Sequence, residues 1–335
     1  MLDIDQPALC GARRCTLLRQ GASSMVERFE EREFVANNRT WLARPSRLIV
    51  AVLSAMVLIV TVSNASSASR ASRPTSKGTV DVIVDSSLTD ATALLAPGFT
   101  KATEFDVQQT SGGSAVDAAA IVGKTTKEDV FISQGAAALK SLETTKPSAW
   151  LSWFVQFGSS LLVFAYSPKS KFAADLKTMP WYRVVTMPGF KLGLPNAKSF
   201  SAGTLAVAAL KSAAKTERLA ALTTMAGAKG DVYSQATLVA RLRSGQVDGG
   251  FLLDVDATGA GLRMTSTAPV HLGVSYFITI LANAAHQPEA EAFVKFLLGS
   301  SASAVLKREG LALQKSPILS GSLQAVPQSL RAVIK

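Results

Sequence analysis

Cysteine is almost absent from this sequence of 335 residues, which contains only Cys10 and Cys15. Both lie upstream of an apolar run at 48–62. The chain after that run has no thiol, which excludes disulfides, thiolate metal sites and cysteine nucleophiles there. It also excludes a lipid-modified cysteine directly after the run.

Histidine is equally scarce, with His271 and His286 as the only two. Neither has neighbours at metal-ligand spacing or beside a nucleophile, so each is expected to be a surface or satisfied core histidine. The sequence therefore predicts a protein that is not an enzyme and that has no cofactor and no cation-binding site.

The apolar run at 48–62 has the order of a secretory signal. Arg44 and Arg47 precede it, and small residues follow it. It is shorter than the ~20 residues of a usual membrane span, although an uncleaved anchor remains an alternative. The start of the chain stays open between Met1 and Met25. We expect export to the periplasm or cell surface.

Cleavage is expected near Ala65 or Ala68. Residues 1–65 would form an amino-terminal extension plus signal peptide or signal anchor. Residues 66–78 are rich in Ser, Arg and Pro and predict a linker without fixed structure.

The charge is strongly positive, with a formal value of +11 at pH 7. A basic surface favours anionic partners. Lysines and arginines are scattered, however, and only 7% of residues are aromatic, so nucleic acid is not expected as a partner.

The folded remainder alternates between β-branched runs and amphipathic runs, which predicts an α/β fold with a mixed, mostly parallel sheet in each of two lobes. Lobe 1 is expected at 79–164 and 273–335, and lobe 2 at 165–272. The predicted strands are 80–84, 105–110, 129–133, 161–166, 191–194, 249–253 and 271–281. The predicted helices are 91–103, 114–122, 203–212, 236–244, 288–298 and 301–308.

Two turns of small residues, 85–90 (DSSLTD) and 110–115 (TSGGSA), each separate a predicted strand from a predicted helix. A helix start carries unpaired N–H groups and partial positive charge, which suit a bound anion. Taken alone, each turn is more often an ordinary helix cap. Ligands of open α/β sheets bind beyond the carboxyl ends of strands, where Ser87 and Ser114 fall, so the two turns could share one anion.

Several motifs in order give the chain from about residue 80 onward a family resemblance. It resembles the molybdate- and tungstate-binding proteins that deliver oxyanions to ABC transporters. The motifs are 87–89 (SLT), 113–114 (GS), 128–133 (EDVFIS), 157–165 (FGSSLLVFA), 166–172 (YSPKSKF), 180–182 (PWY), 191–193 (KLG), 244–248 (SGQVD) and 293–299 (FVKFLLG).

The resemblance implies the two-lobed type II periplasmic-binding fold with a ligand cleft between the lobes. It implies a tetrahedral oxyanion, molybdate or tungstate, as ligand, an ABC transporter permease as partner, and a monomer. The ligand would be held by neutral donors only, since a fully ionised oxyanion accepts hydrogen bonds. The implied positions are Ser87, Ser114, the backbones of Ala202 and Val232, and their neighbours Ser86, Ser201 and Tyr233.

This chain departs from the family at its second-lobe positions. Leu253 stands where one branch has a tyrosine, and Phe200 and Leu252 stand where the archaeal-type branch has carboxylates. Tyr233 is a candidate replacement for the missing hydroxyl, with a packed surface tyrosine as the alternative. Asp85, two residues before Ser87, would repel an anion unless its carboxylate points away.

Two other functions remain as alternatives. The same cleft could belong to a membrane-anchored sensor or bind another small anion. Ser212 and Lys215 match the Ser-x-x-Lys of exported serine hydrolases, but the further elements of that site are incomplete, with only residues 177–179 (KTM) resembling Lys-Thr-Gly.

Overall fold

A computed structural model of the chain describes residues 76–144, 149–228 and 230–334. The predicted extension and signal at 1–65, including the apolar run at 48–62, and the linker up to residue 75 lie outside the described residues. Within the described ranges, no helix is long and apolar enough to cross a membrane.

The described chain alternates strands and helices, with short 3₁₀ turns at Ser86–Leu88, Leu323–Ala325 and Gln328–Leu330. The strands are β1 (Gly78–Asp85), β2 (Phe105–Gly112), β3 (Val130–Gln134), β4 (Trp153–Tyr166), β5 (Leu192–Pro195), β6 (Val232–Tyr233), β7 (Gly249–Leu253), β8 (Arg263–Ser266), β9 (Gly273–Ile280) and β10 (Ala312–Gly321). The helices are α1 (Thr89–Ala93), α2 (Ala96–Thr103), α3 (Ser114–Val122), α4 (Ala137–Thr144), α5 (Asp175–Thr178), α6 (Trp181–Val184), α7 (Ser201–Thr216), α8 (Ala220–Ala226), α9 (Gln235–Ser244), α10 (Asp254–Gly259), α11 (Gln287–Leu297) and α12 (Ser300–Arg308).

The long strand β4 connects two groups of strands. Its first part, up to Leu161, pairs antiparallel with β9 and β10, and its last part, from Leu162, pairs antiparallel with β7 and β8. On the first side β9 continues to β3, β1 and β2, and on the second side β7 continues to β5 and β6. One strand therefore runs through both halves of the molecule.

The sheet is mixed, as predicted. Parallel pairings do not predominate in it, although the sequence predicted that they would. β1 is parallel to β2 and β3, and β5 is parallel to β6 and β7. All pairings of β4 and β9 are antiparallel. β4 and β9 thus run antiparallel to the strands of the βα units. The strands of those units end at one edge of the sheet.

The helices follow local sequence rules. Helix α7 begins after Phe200, which has extended backbone, and its small residues Ala202, Ala206 and Ala209 are buried at helical spacing. Helix α9 ends at Gly245, whose φ of 82° is the left-handed conformation that glycine adopts without steric cost.

Aromatic side chains form the centre of the second half. Phe251 packs edge-on against Phe164 and Trp181, with ring centroids 5.1 Å away in both pairs. All three are fully buried, so they contribute strongly to hydrophobic stabilisation of the layer beneath α7.

Most predicted elements are present with bounds within a few residues, and α3 begins and ends as predicted. The predicted helix at 91–103 is divided into α1 and α2 around Leu94 and Leu95. Its second part begins with Pro97 in the first turn, a position that proline favours because its missing N–H is not needed there.

Candidate functional site

Ser87 and Ser114 lie side by side at the carboxyl ends of neighbouring parallel strands. The ends of β1 and β2 are paired, with Asp85 opposite Gly112. Ser87 sits in the 3₁₀ turn that follows β1, and Ser114 is the first residue of α3 after β2. The two turns therefore converge, as predicted from their place in the alternation.

The Asp85 carboxylate lies between the two serines. Its Oδ1 accepts from the Ser87 Oγ at 2.7 Å and the Ser87 N–H at 3.1 Å. Its Oδ2 accepts from the Ser114 Oγ at 2.6 Å and the Ser114 N–H at 3.3 Å. Asp85 is buried, so this one carboxylate takes the hydroxyl and backbone donors of both turns.

Gln134 and Tyr276 hold the two hydroxyls from the other side. The Gln134 N–H donates to the Ser114 Oγ at 2.8 Å, and the Gln134 Nε2 donates to the Ser87 Oγ at 3.2 Å. The Tyr276 hydroxyl lies 2.9 Å from the Ser87 Oγ. Burial raises the pKa of Tyr276, which keeps its proton available for donation.

Helix α7 brings a second donor group from the other half of the molecule. The Ser201 hydroxyl donates to the Gln134 side-chain oxygen, which links the start of α7 to the end of β3. In the described part of the chain, the N–H groups of Ser201 and Ala202 have no acceptor. They are unpaired donors at the start of α7, a helix of sixteen residues, and this end of the helix carries partial positive charge.

Asp85, the two serines, Gln134 and the start of α7 line a cavity of about 600 Å³. Both halves contribute to its wall, and one cationic side chain, that of Lys198, is among the described residues that line it. The predicted residues in its lining are Ser86, Ser87, Ser114, Ser201 and Ala202.

Val232 and Tyr233 are not part of that lining. They form the short strand β6, and the Tyr233 hydroxyl donates to Asp231 at 2.6 Å while the Arg241 guanidinium lies over its ring at 4.4 Å. The chain just beyond them, at Gln235, reaches the cavity instead. A ligand role for Val232 and Tyr233 stays a prediction.

The three departures from the family take different places. Phe200 and Leu253 line the cavity and give it an apolar side, whereas Leu252 faces a separate buried cluster with Leu238 and Val163. The cavity thus has polar donors on one side and apolar surface on another, the usual character of a small-molecule site.

A second cavity of about 500 Å³ adjoins the first, since Ser86, Ser87 and Phe200 line both. Asp90 and Asp256 are among its lining residues. Burial raises the pKa of Asp256 to about 8, with a further contribution from the charge of Asp85.

Asp117 lies in the first turn of α3, close behind the donor cluster. Burial raises its pKa to about 7, and the charges of Asp85 and Glu128 add to the shift. Its buried Oδ2 has no hydrogen-bond partner among the described residues. A buried carboxylate oxygen without a described partner therefore lies next to the donor cluster.

His286 is paired far along the chain, with Asp129 at the amino end of β3. The His286 Nδ1 lies 3.0 Å from the Asp129 Oδ2 and 4.0 Å from the Asp81 Oδ2. Each Asp129 oxygen also accepts a backbone N–H, from Asp81 and His286 respectively. This arrangement fixes the chain at the start of α11 and provides a structural role for the histidine.

Ser212 and Lys215 are exposed near the end of α7 and line neither cavity. A nucleophile needs a base within hydrogen-bond reach and a site for the reacting group. Neither requirement is met by the surroundings that the structure describes for this pair.

Sequence reasoning identified Ser87 and Ser114 but missed Gln134, Tyr276 and Lys198. Gln134 ends the third parallel strand at the same edge, so strand order could have placed it. Tyr276 reaches the site on an antiparallel strand from a distant part of the sequence, and no local pattern signals it.

Residues 80–312 match the family model of bacterial extracellular solute-binding proteins. Solved structures with the type II periplasmic-binding fold are similar in shape. The periplasmic molybdate-binding protein of Azotobacter vinelandii is 20% identical with a TM-score of 0.54, over 70% of this chain and 100% of that one.

The sulfate-binding protein SubI from Mycobacterium tuberculosis H37Rv is 14% identical with a TM-score of 0.52, over 70% of this chain and 86% of that one. The periplasmic binding protein AfuA from Actinobacillus pleuropneumoniae, bound to fructose-6-phosphate, is 16% identical with a TM-score of 0.52, over 71% and 85%. At these identities the similarity establishes the shared fold.

Proposed function

This chain belongs to the bacterial extracellular solute-binding proteins, and from that premise we propose that it captures a small oxyanion and delivers it to an ABC transporter permease. Molybdate and tungstate are the first candidates. The molybdate-binding protein among the similar structures supports this choice, as do the motifs shared with that family. The protein would act by binding alone, as an exported monomer.

The observation that carries this proposal is the convergence of two helix starts on one cavity. Ser114 opens α3 from the first half of the molecule, and Ser201 opens α7 from the second. The N–H groups of Ser201 and Ala202 point positive dipole ends into a space that Lys198 also lines. The neutral donors and the one cation suit an anionic solute, and Asp85 is the one carboxylate residue among the described residues of that lining.

Capture would involve closure of the two predicted lobes, 79–164 with 273–335 and 165–272. Donors from both halves line the cavity, so an anion between them would hold the halves together. Closure would also exclude water and strengthen each hydrogen bond. Export would depend on the segment at 1–65.

A proline substitution tests the backbone donors of α7. Ser201→Pro removes the N–H at the first helical position, where proline is well tolerated, and Phe200 already has the extended backbone that a following proline requires. Ser201→Ala removes only the hydroxyl and serves as the matched control. We expect Ser201→Pro to bind molybdate or tungstate roughly tenfold more weakly than Ser201→Ala, the loss of one charge-assisted hydrogen bond.

Equal affinity of the two variants, with unfolding temperatures that match, would contradict a role for this helix start. Loss of anion binding in Ser201→Pro alone would support it. Both variants change only Ser201, so the remaining donors of the site are the same in both.

A second candidate, another small anion with an organic part, is favoured by the apolar wall of Phe200 and Leu253 and by the adjoining cavity of about 500 Å³. A bare tetrahedral oxyanion needs neither. The fructose-6-phosphate bound to AfuA is a ligand of this type. Competition between sugar phosphates and molybdate on the purified protein separates the two candidates. A sensor role would keep the same ligand and differ only in the partner.

A further inference from the structure

The hydrogen bonds around Asp85 account for all the acceptor positions of a carboxylate. Four donors from two residues, Ser87 and Ser114, reach it, two at each oxygen, at 2.6–3.3 Å. A carboxylate with two bonds at each oxygen has its lone-pair sites filled. An anion could bind beside Asp85 without repulsion only if the carboxylate pointed away from the donors. The Asp85 carboxylate points toward them.

The two hydroxyls have no second proton to offer. Each serine hydroxyl donates once, and both protons go to Asp85. The opposite sides are occupied as well, because the Ser114 Oγ accepts from the Gln134 N–H and the Ser87 Oγ accepts from the Gln134 Nε2. An external oxyanion can receive these protons only when the Asp85 bonds are broken.

The electrostatics point the same way. Burial first, and then the charge of Asp85, raise the pKa of both Asp117 and Asp256. An added dianion would be repelled by Asp85 directly. Lys198 lines the cavity, and its backbone N–H donates to the Asn196 Oδ1 at 2.9 Å, whereas its ammonium group has no hydrogen bond or ion pair to any described residue. The carboxylate thus occupies, in shape and in charge, the place of the solute.

We propose that Asp85 is an internal competitor of the solute anion and the residue that sets the affinity of this site. The inference rests on the proposed function of the cleft. The anion must displace the Asp85 carboxylate from Ser87 and Ser114, so part of its binding free energy is spent on breaking four existing bonds. Fully ionised oxyanions are then bound more weakly than the donor set alone allows.

The test replaces Asp85 without removing its role as a helix cap. Asp85→Asn keeps an acceptor for the Ser87 N–H and is among the best residues at a helix start. Asp85→Ser is the second variant in case the amide perturbs folding. Asp106→Asn is the matched control, because Asp106 is an exposed carboxylate of β2 that lines neither cavity.

Calorimetric titration with molybdate, tungstate, sulfate and phosphate compares these variants with the unmodified protein. We expect Asp85→Asn to bind at least one of the four about tenfold or more tightly, since hydrogen bonds to charged groups are released for the ligand. We expect Asp106→Asn to change affinity by only about twofold, the effect of a screened surface charge.

Affinity in Asp85→Asn and Asp85→Ser that equals or falls below that of Asp106→Asn overturns the competition while leaving the cleft as an anion site. Binding that appears only after Asp85 is replaced supports the competition strongly. Silence of every variant with all four anions overturns both the competition and the oxyanion function.

Discussion

The Asp85 carboxylate, at the end of β1, accepts a hydrogen bond of 2.6 Å from the hydroxyl of Ser114, at the start of α3. This bond joins the two turns whose sequences predict an oxyanion site. It also shows that a helix start built for an anion can bind an anion of its own chain.

Removing either serine hydroxyl is expected to weaken anion binding. In Ser87→Ala and Ser114→Ala the anion loses a donor that becomes available once Asp85 turns away, a loss of about 1–3 kcal/mol in each. Titration with the tightest of the four anions measures it, with Ser244→Ala, an exposed hydroxyl at the last residue of α9, as control. Unchanged affinity in both serine variants would refute the site and leave the fold intact.

Asp117→Asn is expected to stabilise the protein at alkaline pH. The folded pKa of Asp117 is about 7, above its usual 3.8, so the folded state holds a proton that the unfolded state has lost. Stability is therefore lost as pH rises from about 4 to 7, and the amide avoids that loss. The gain should be on the order of 2 kcal/mol near pH 8.5 and small at pH 4.

Urea unfolding of the two proteins at both pH values measures this difference. A gain that is the same at both pH values would contradict the titration of Asp117 and indicate a packing effect instead. Glu143→Gln, a change on α4 away from this carboxylate cluster, controls for loss of a negative charge.

His286→Gln is expected to destabilise the protein more at acidic than at alkaline pH. The hydrogen bond and charge of Asp129 raise the pKa of His286 above its usual 6.5. The stabilising charged form is thus fully present below about pH 6.5 and is lost as pH rises through the folded pKa. Half-exposure keeps the effect small.

Thermal unfolding near pH 5.5 and near pH 8.5 checks the sign. His271→Gln is the control, because His271 is the other histidine and its side chain is exposed. A larger loss for His286→Gln at the alkaline pH would contradict the proposed pairing with Asp129.

Gly203→Ala is expected to disturb the start of α7. A Cβ at Gly203 would lie 2.5 Å from the Ala197 N and the Pro195 O, which are backbone atoms that cannot rotate away. We expect a loss of stability of about 1–3 kcal/mol, together with weaker anion binding because the Ser201 and Ala202 donors shift.

Gly259→Ala is the matched control. A Cβ there meets nothing within 4 Å, and the residue ends α10, where alanine should be neutral or slightly stabilising by ~0.5 kcal/mol. Chemical unfolding and titration of both variants decide the matter. A Gly203→Ala protein as stable as the control would show that α7 can move without cost.

Local patterns predicted the βα units well because each depends on neighbours in sequence. The β-branched run that becomes β1, the start of α3 at Ser114 and the small-residue face of α7 are set by period and capping. Placing Ser87 beside Ser114 needed only the rule that parallel strands end at one edge.

The rest depends on contacts that local patterns do not encode. Whether Asp85 faces the donors or the solvent is decided by the packing of β1 between β2 and β3. Tyr276 reaches Ser87 from 189 positions away, and the antiparallel pairings of β4 follow from where the chain returns. For the same reason Ser234 and Gln235, which follow β6, line the adjoining cavity. Val232 and Tyr233, which form β6, do not line it.

The most direct test of the proposed oxyanion site is isothermal titration calorimetry of the purified protein, freed of bound anions, with molybdate, tungstate, sulfate and phosphate. We expect one-to-one binding heat, strongest with molybdate or tungstate and small with sulfate, and tighter binding in Asp85→Asn. Absence of heat with all four anions, in both the unmodified protein and Asp85→Asn, would contradict it.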